Sequence, residues 1–262
     1  MTITIGTDYE LFLQQNKKVI PAWEVLPYPK EKPLDINGFK FHFDNVTAEV
    51  ATPPTTSLGE FIVQIKRGQK LLKQAINRKD IQFLYKASAL FGEEYLTNAY
   101  FLEFGCSPDW CVWTETENIV DNSYNLYRAA GGHIHIGHPS LVNNIELMKR
   151  YVYALDLRLG VPSVIKDPDK NRRRLYGKAG AFRIKPYGIE YRVLSNFWIT
   201  KASYITWVFD VCERELNTLL YDLDYNDYIL NTKTIDTIIA TINDSDVVSA
   251  KTLCKELSIY VP

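Results

Sequence analysis

The chain has 262 residues, with 30 basic against 31 acidic side chains and a formal charge of -1, so no overall field draws it to nucleic acid or to an anionic membrane. Its apolar residues are dispersed, with no run near the roughly eighteen that a bilayer span takes. The opening MTITIGTDYE lacks the basic and apolar regions of a signal peptide, so a soluble cytoplasmic protein is expected.

In chain order, residues 2–13 alternate, with Ile3, Ile5, Tyr9, Leu11 and Leu13 on one face and Thr4, Asp8 and Glu10 on the other, the pattern of a half-buried strand. A proline-rich excursion follows, then a second extended stretch, FKFHFDNVTAEVATPP, with a bulge expected near Asp44 and Asn45. Residues 57–76 read as a helix: Ser57 and Glu60 form a capping box, and Phe61, Ile62, Ile65, Leu72 and Ile76 form the apolar stripe. A second helix is expected over 143–159, stopped by Gly160 and Pro162, a third over 201–223, and two short ones over 234–242 and 248–257. The segment KDPDKNRRRLYGKAGAFRIKP reads as a basic loop. Strands and helices do not alternate as βαβ units would, so an α+β fold with an antiparallel sheet backed by helices is expected. With no repeat or linker, residues 1–262 read as one domain. Cys106, Cys111, Cys212 and Cys254 are too few and too scattered for a disulfide framework, and buried reduced thiols are expected.

Three strands carry polar pairs on one face. In GGHIHIG, His133 and His135 point one way and Ile134 and Ile136 the other; Glu190 goes with Arg192 in GIEYRVLSNFW, and Asp8 goes with Glu10. Each pair alone has a plain reading, as solvated acids, a structural strand or a cross-strand ion pair. Asp8, Glu10, Glu49 and Glu190 on one concave face would repel one another unless divalent cations lay between them. Lys170, Arg172, Arg173, Arg174, Lys178, Arg183 and Lys185 precede Glu190 and are candidates to grip a polyphosphate. His42 and His138 carry no such pattern and read as surface or satisfied polar residues. Trp110, Trp113, Tyr124 and Tyr127 read chiefly as core. No P-loop, dinucleotide fingerprint, G-x-S-x-G elbow or H-E-x-x-H helix occurs.

Taken in order, GTDYELF, AEVATPP, GGHIHIG and YGIEYRVLSNFW resemble the glutamine synthetase and glutamate-cysteine ligase superfamily. FGCSPDW, RAAGGHIHIG and LYGKAGAFR make the chain more closely similar to its carboxylate-amine ligase (amidoligase) branch, carried mainly by tailed bacteriophages. The resemblance implies an antiparallel sheet curved into a half-barrel, with ATP at one end, the acceptor at the other, and Mg²⁺, or Mn²⁺ in its place, between them. It implies a ligase that phosphorylates a small-molecule or peptide carboxylate and lets an amine displace the phosphate, acting in the host cytoplasm if phage-encoded, with no nucleic-acid or membrane partner. Matched by motif, Glu10 and Glu49 would serve one metal, and Asp8, His133 and Glu190 the metal bridging the ATP phosphates. Arg192 and Arg183 would face transferring phosphate; Arg172, Arg173, Lys178 and His135 are further candidates for nucleotide binding. Asp8 stands where the superfamily usually has glutamate, and for the second acidic ligand often found before Glu49 only Asp44 or His42 is available. Asp44 is also the candidate base for the amine. The competing readings are a guanidino-kinase-like phosphotransferase and a non-catalytic nucleotide-binding protein on the same scaffold.

Overall fold

The alternation in the opening segment produces one long strand, β1 (Thr4–Gln15), which is the centre of the sheet. The chain was analysed as a computed structural model that describes residues 2–95, 109–118, 126–227, 230 and 232–262; Cys106 and Tyr124 lie outside the described residues. After β1 come β2 (Lys18–Ile20), β3 (Leu34–Ile36), β4 (Phe39–Asp44), β5 (Thr47–Ala51), α1 (Leu58–Ile76), β6 (Ile81–Leu84) and β7 (Ser88–Leu90). Next are β8 (Trp110–Cys111), β9 (Thr116–Glu117), β10 (Tyr127–Ala129), β11 (Gly132–Gly137), α2 (Ile145–Leu155), α3 (Val161–Lys166) and α4 (Lys170–Leu175). The hairpin β12 (Ala181–Lys185) and β13 (Gly188–Tyr191) then leads to α5 (Ala202–Tyr221), α6 (Thr232–Asn243) and α7 (Val247–Glu256).

The main sheet runs β3-β4-β5-β1-β11-β13-β12-β8-β9, with β2 and β6 also paired to β1, and its neighbours are antiparallel. This is the expected α+β fold. One face of the sheet is apolar: Ile5, Tyr9, Leu11, Phe41, Val50, Ile134, Ile136 and Tyr191 are buried against helices. Tyr9 donates to the carbonyl of Ile65 on α1 at 3.2 Å, and Phe61 of α1 lies 6.0 Å from Trp198 and 5.6 Å from Phe209 of α5. Ser57 caps α1 as expected, its hydroxyl accepting from the amide of Glu60. Among the described residues no helix is long and apolar enough to cross a membrane.

Three expectations are corrected. The stretch after residue 38 is not one bulged strand but the β4–β5 hairpin: Asp44 pairs with Thr47, and Asn45 turns the chain in the left-handed region at φ 52°, which asparagine tolerates. Gly160 and Pro162 do not stop the second helix. The chain passes from α2 into α3 through a widened π turn, Asp156–Gly160, which accommodates a proline that has no amide to give to the preceding turn. A side chain at Gly160 would meet the Tyr191 hydroxyl at 3.1 Å, so the turn packs close behind the sheet. The basic loop is partly helical: Asp169 caps α4 by accepting from the Arg172 amide at 3.0 Å, and the segment ends in β12.

That π turn carries Asp156, fully buried, accepting from Trp113 Nε1 at 2.6 Å, the Gly180 amide at 2.6 Å and the Tyr191 hydroxyl at 2.8 Å. Trp113 also stacks on Tyr153 at 4.3 Å and so belongs to the core behind the sheet. Burial lifts the Asp156 carboxyl to about 6, against those three hydrogen bonds. Because the folded chain then holds this proton more tightly than the unfolded one, the group's favourable contribution is complete below about pH 4 and is lost as pH rises through about 6. Asparagine can keep its oxygen on the Trp113 and Gly180 donors and turn its amide to the Tyr191 oxygen. The stability of Asp156→Asn relative to the native chain should therefore rise by on the order of 2 kcal/mol between pH 4.5 and 7.5 in urea unfolding. A difference independent of pH would show that Asp156 is ionised throughout.

Candidate active site

The strand register places the polar pairs in one row. Opposite residues share a face, so His42 of β4 faces Glu49 of β5, Glu49 faces Glu10 of β1, and Asp8 faces His133 of β11. His135 faces Glu190 of β13, which faces Arg183 of β12. Beyond Glu10 the same face closes with Phe12, Val46, Ala89, Phe91 and Ala130, a small apolar cluster.

Two groups of possible cation ligands lie in this row. In the first, Glu10, Asp44 and Glu49 bring one carboxylate oxygen each within 4.8 Å of one another, and all three residues are buried. Burial and the neighbouring charges of Glu49 and Asp44 raise the Glu10 carboxyl, although His133 and the Gly131 amide oppose them. Burial and Glu49 likewise raise Asp44, although Lys30 stands 2.6 Å from its Oδ2. Three hard oxygen donors buried this close together fit a divalent cation. Asp44, the expected base, is thus held inside the acid group and ion-paired rather than presented to an amine.

In the second group Asp8, His135 and Glu190 bring their ligand atoms within 4.8 Å. Asp8 Oδ2 is 2.9 Å from His135 Nε2, and Asp8 Oδ1 is 3.3 Å from His133 Nδ1. Burial opposes ionisation of Asp8, but the charges and hydrogen bonds of the two imidazoles outweigh it and hold its carboxyl well below the usual range. Glu190, also opposed by burial, is drawn down to about 2 chiefly by Arg192. Arg192 contacts Glu190 Oε1, lies 3.2 Å from His133 Nδ1 and donates through Nε to Asp109 at 3.2 Å, while Lys185 Nζ is 2.6 Å from Glu190 Oε2. The imidazole in this compact group is His135, hydrogen-bonded also to Tyr187; His133, to which the resemblance points, brings its Nδ1 to 3.3 Å from Asp8 and 3.6 Å from Glu190. His133 lies between Asp8 and Arg192.

The basic run divides. Arg183 is on the site face opposite Glu190, whereas Lys178 is in the turn before β12, outside the row. Arg172 and Arg173 are corrected to structural roles. Arg172 is 1% exposed and donates to the carbonyls of Ala130, Arg192, Val193 and Leu194. Arg173 donates to the carbonyls of Gly177 and Val193 and to Ser163. These bonds hold the main chain flanking β11 and β13, and Arg172 also lines a narrow cavity beside Glu10. Gly132 serves packing more than ligand access, since a side chain there would lie 2.5 Å from the Ser195 carbonyl and 2.5 Å from Trp198 Nε1.

Sequence reasoning missed several neighbours. His42 is buried in the row, a placement already implied by its parity with Asp44. Arg128 and Asn45, joined at 3.2 Å, line a narrow cavity of 40 Å³ beside Glu10, Asp44, His133 and Arg192. A larger cavity of 420 Å³ opens on the other side of the row, toward the start of β1, bounded by Asp8, His135, Lys40, Pro53, Pro54 and Tyr187. No local pattern marks Arg128 or Asp109 as members of one site. Cys111, Cys212 and Cys254 are buried and free, as expected.

By fold and site, this is an α+β protein whose antiparallel sheet presents two acid-rich groups, flanked by cationic side chains, between two cavities. Residues 121–212, which carry His133, His135, Glu190 and Arg192, match the family described as phage phiEco32-like COOH.NH2 ligase-type 2, and over that segment the likeness to carboxylate-amine ligases is shown. No curated protein matches the chain. Among solved structures it is similar to a bifunctional glutathione synthetase from Pasteurella multocida, at 10% identity and a TM-score of 0.45, over 98% of this chain and 49% of that one. It is also similar to a novel glutamine synthase homolog, at 11% identity and a TM-score of 0.44, over 98% of this chain and 67% of that one. The chain thus spans about half the length of the first.

Proposed function

We propose that the chain is an ATP- and Mg²⁺-dependent ligase that joins a carboxylate to an amine through an acyl phosphate. The observation that carries this reading is the single row Glu49–Glu10, Asp8–His133 and His135–Glu190–Arg183 between two cavities. Glu10, Asp44 and Glu49 would hold one divalent ion, and Asp8, His135 and Glu190 another. Bound there, the ions would neutralise phosphate charge. Arg192, oriented by Asp109, and Arg183 would receive the transferring phosphate, supplying fixed positive charge where negative charge develops. Lys185, paired with Glu190 and 28% exposed, can turn to a phosphate oxygen once Glu190 has another partner. The larger cavity, walled by Pro53, Pro54 and Tyr187, suits a nucleotide, and the narrow one beside Arg128 suits the carboxylate substrate. The acyl phosphate must meet the amine before water, and the apolar wall from Phe12 to Phe91 limits access from that side.

Incubating the chain with ATP, Mg²⁺ and a mixture of amino acids and peptides should yield condensed products that have lost one water, with ADP and phosphate formed in equal amounts, by mass spectrometry. A stable phosphorylated amine without an amide would replace this reading with phosphotransfer.

A further inference from the structure

The acid group at Glu10, Asp44 and Glu49 has a neighbour that the reading above leaves without a role. His42 has a side chain only 8% exposed, and its Nε2 lies 3.4 Å from Glu49 Oε2. Both ring nitrogens are buried; Nδ1 has no hydrogen-bond partner, and Nε2 has only the long contact with Glu49. Burying an imidazole nitrogen without a partner is unfavourable, and a bound cation would relieve it. A histidine serving only to orient Glu49 would donate a well-formed hydrogen bond to it and satisfy its other nitrogen elsewhere. His42 does neither. The 3.4 Å separation is close to the edge of about 3 Å between adjacent ligands of a six-coordinate ion bound at about 2.1 Å.

We propose that His42 contributes an imidazole nitrogen to the Glu10–Asp44–Glu49 site and makes that site favour a first-row transition ion over Mg²⁺. The proposal rests on the reading of this acid group as a cation site, though not on ligase chemistry. Three carboxylates alone suit a hard ion such as Mg²⁺. An imidazole adds much to the binding of Co²⁺, Fe²⁺ or Zn²⁺ and little to that of Mg²⁺. Lys30, which faces Asp44, has a side chain 44% exposed and can withdraw into water when a cation enters.

The test uses metal-free chain without nucleotide, carrying Glu190→Gln to weaken the Asp8–His135–Glu190 group, with Co²⁺ and Mg²⁺ as probes. Co²⁺ is followed by its visible absorption, and both ions by calorimetry. Adding His42→Leu or His42→Gln should lower Co²⁺ affinity by about 30-fold and Mg²⁺ affinity by less than about threefold. The metal-free melting temperature of each variant, which loses only the 3.4 Å contact with Glu49, checks that the chain still folds. Equal losses for the two ions, recovery of Co²⁺ affinity in the glutamine variant, or unchanged Co²⁺ binding would each overturn the proposal. If the selective loss is found while the chain with native Glu190 and His42 gives no ATP-dependent condensation, the ligase reading fails and the metal site stands.

Discussion

Replacing Glu190 by glutamine should lower ATP-dependent turnover by about 10³-fold while leaving the chain folded. Glu190 is 1% exposed and held ionised by Arg192, with Lys185 on its other oxygen. Glutamine keeps the shape and removes the charge. Arg192 retains Asp109, so its guanidinium is not left stranded, and the loss of stability should stay near 1–3 kcal/mol. The proposed phosphate-bridging ion, by contrast, loses one of its two anionic ligands. Single-turnover measurement of ADP release, with thermal unfolding as the control, separates the two effects. Native-like turnover in a folded Glu190→Gln chain would remove Glu190 from the chemistry.

The largest effect on stability should come from Arg172→Met, on the order of 4 kcal/mol or more. Its guanidinium serves the carbonyls of Ala130, Arg192, Val193 and Leu194, and so ties the entrance of β11 to the exit of β13. Burial and the adjacent Arg173 work against its charge, while Asp167 and Glu10 favour it, so the site is costly to build and costlier to leave half built. Methionine fills the space but leaves buried carbonyls without donors. Lysine restores a charge but not the planar fork, and should recover less than half of the loss. Urea unfolding measures both. If Arg172 gripped a nucleotide, as its place in the basic run suggests, Arg172→Met would fold normally and lose only ligand affinity.

The two arginine roles illustrate what a sequence hides. Arg172, Arg173 and Arg183 lie within one stretch and look alike, yet two face main-chain carbonyls and one stands opposite Glu190. The difference comes from α4, a helix too short to announce itself by an apolar stripe, whose Asp169 cap sets the direction of the following side chains. The histidines illustrate the same limit. Alternation places His133 and His135 on one face, but that His135 meets Asp8 and Tyr187 while His133 sits among Asp8, Glu190 and Arg192 comes from strand register across the sheet. His42 carried the right parity but lacked a visible partner until the β4–β5 hairpin set it opposite Glu49.

The amino-acid order by itself determined the strand faces, the helix caps and stripes, and the collection of acids, imidazoles and arginines available to one surface, because alternation and helical periodicity are properties of neighbouring residues. Only the tertiary structure decided that these form two acid groups between two cavities, with Asp44 in one and His135 in the other. Register between distant strands, and the commitment of each buried donor to a carbonyl or to the site, are settled by packing across the whole sheet, where no local pattern reaches.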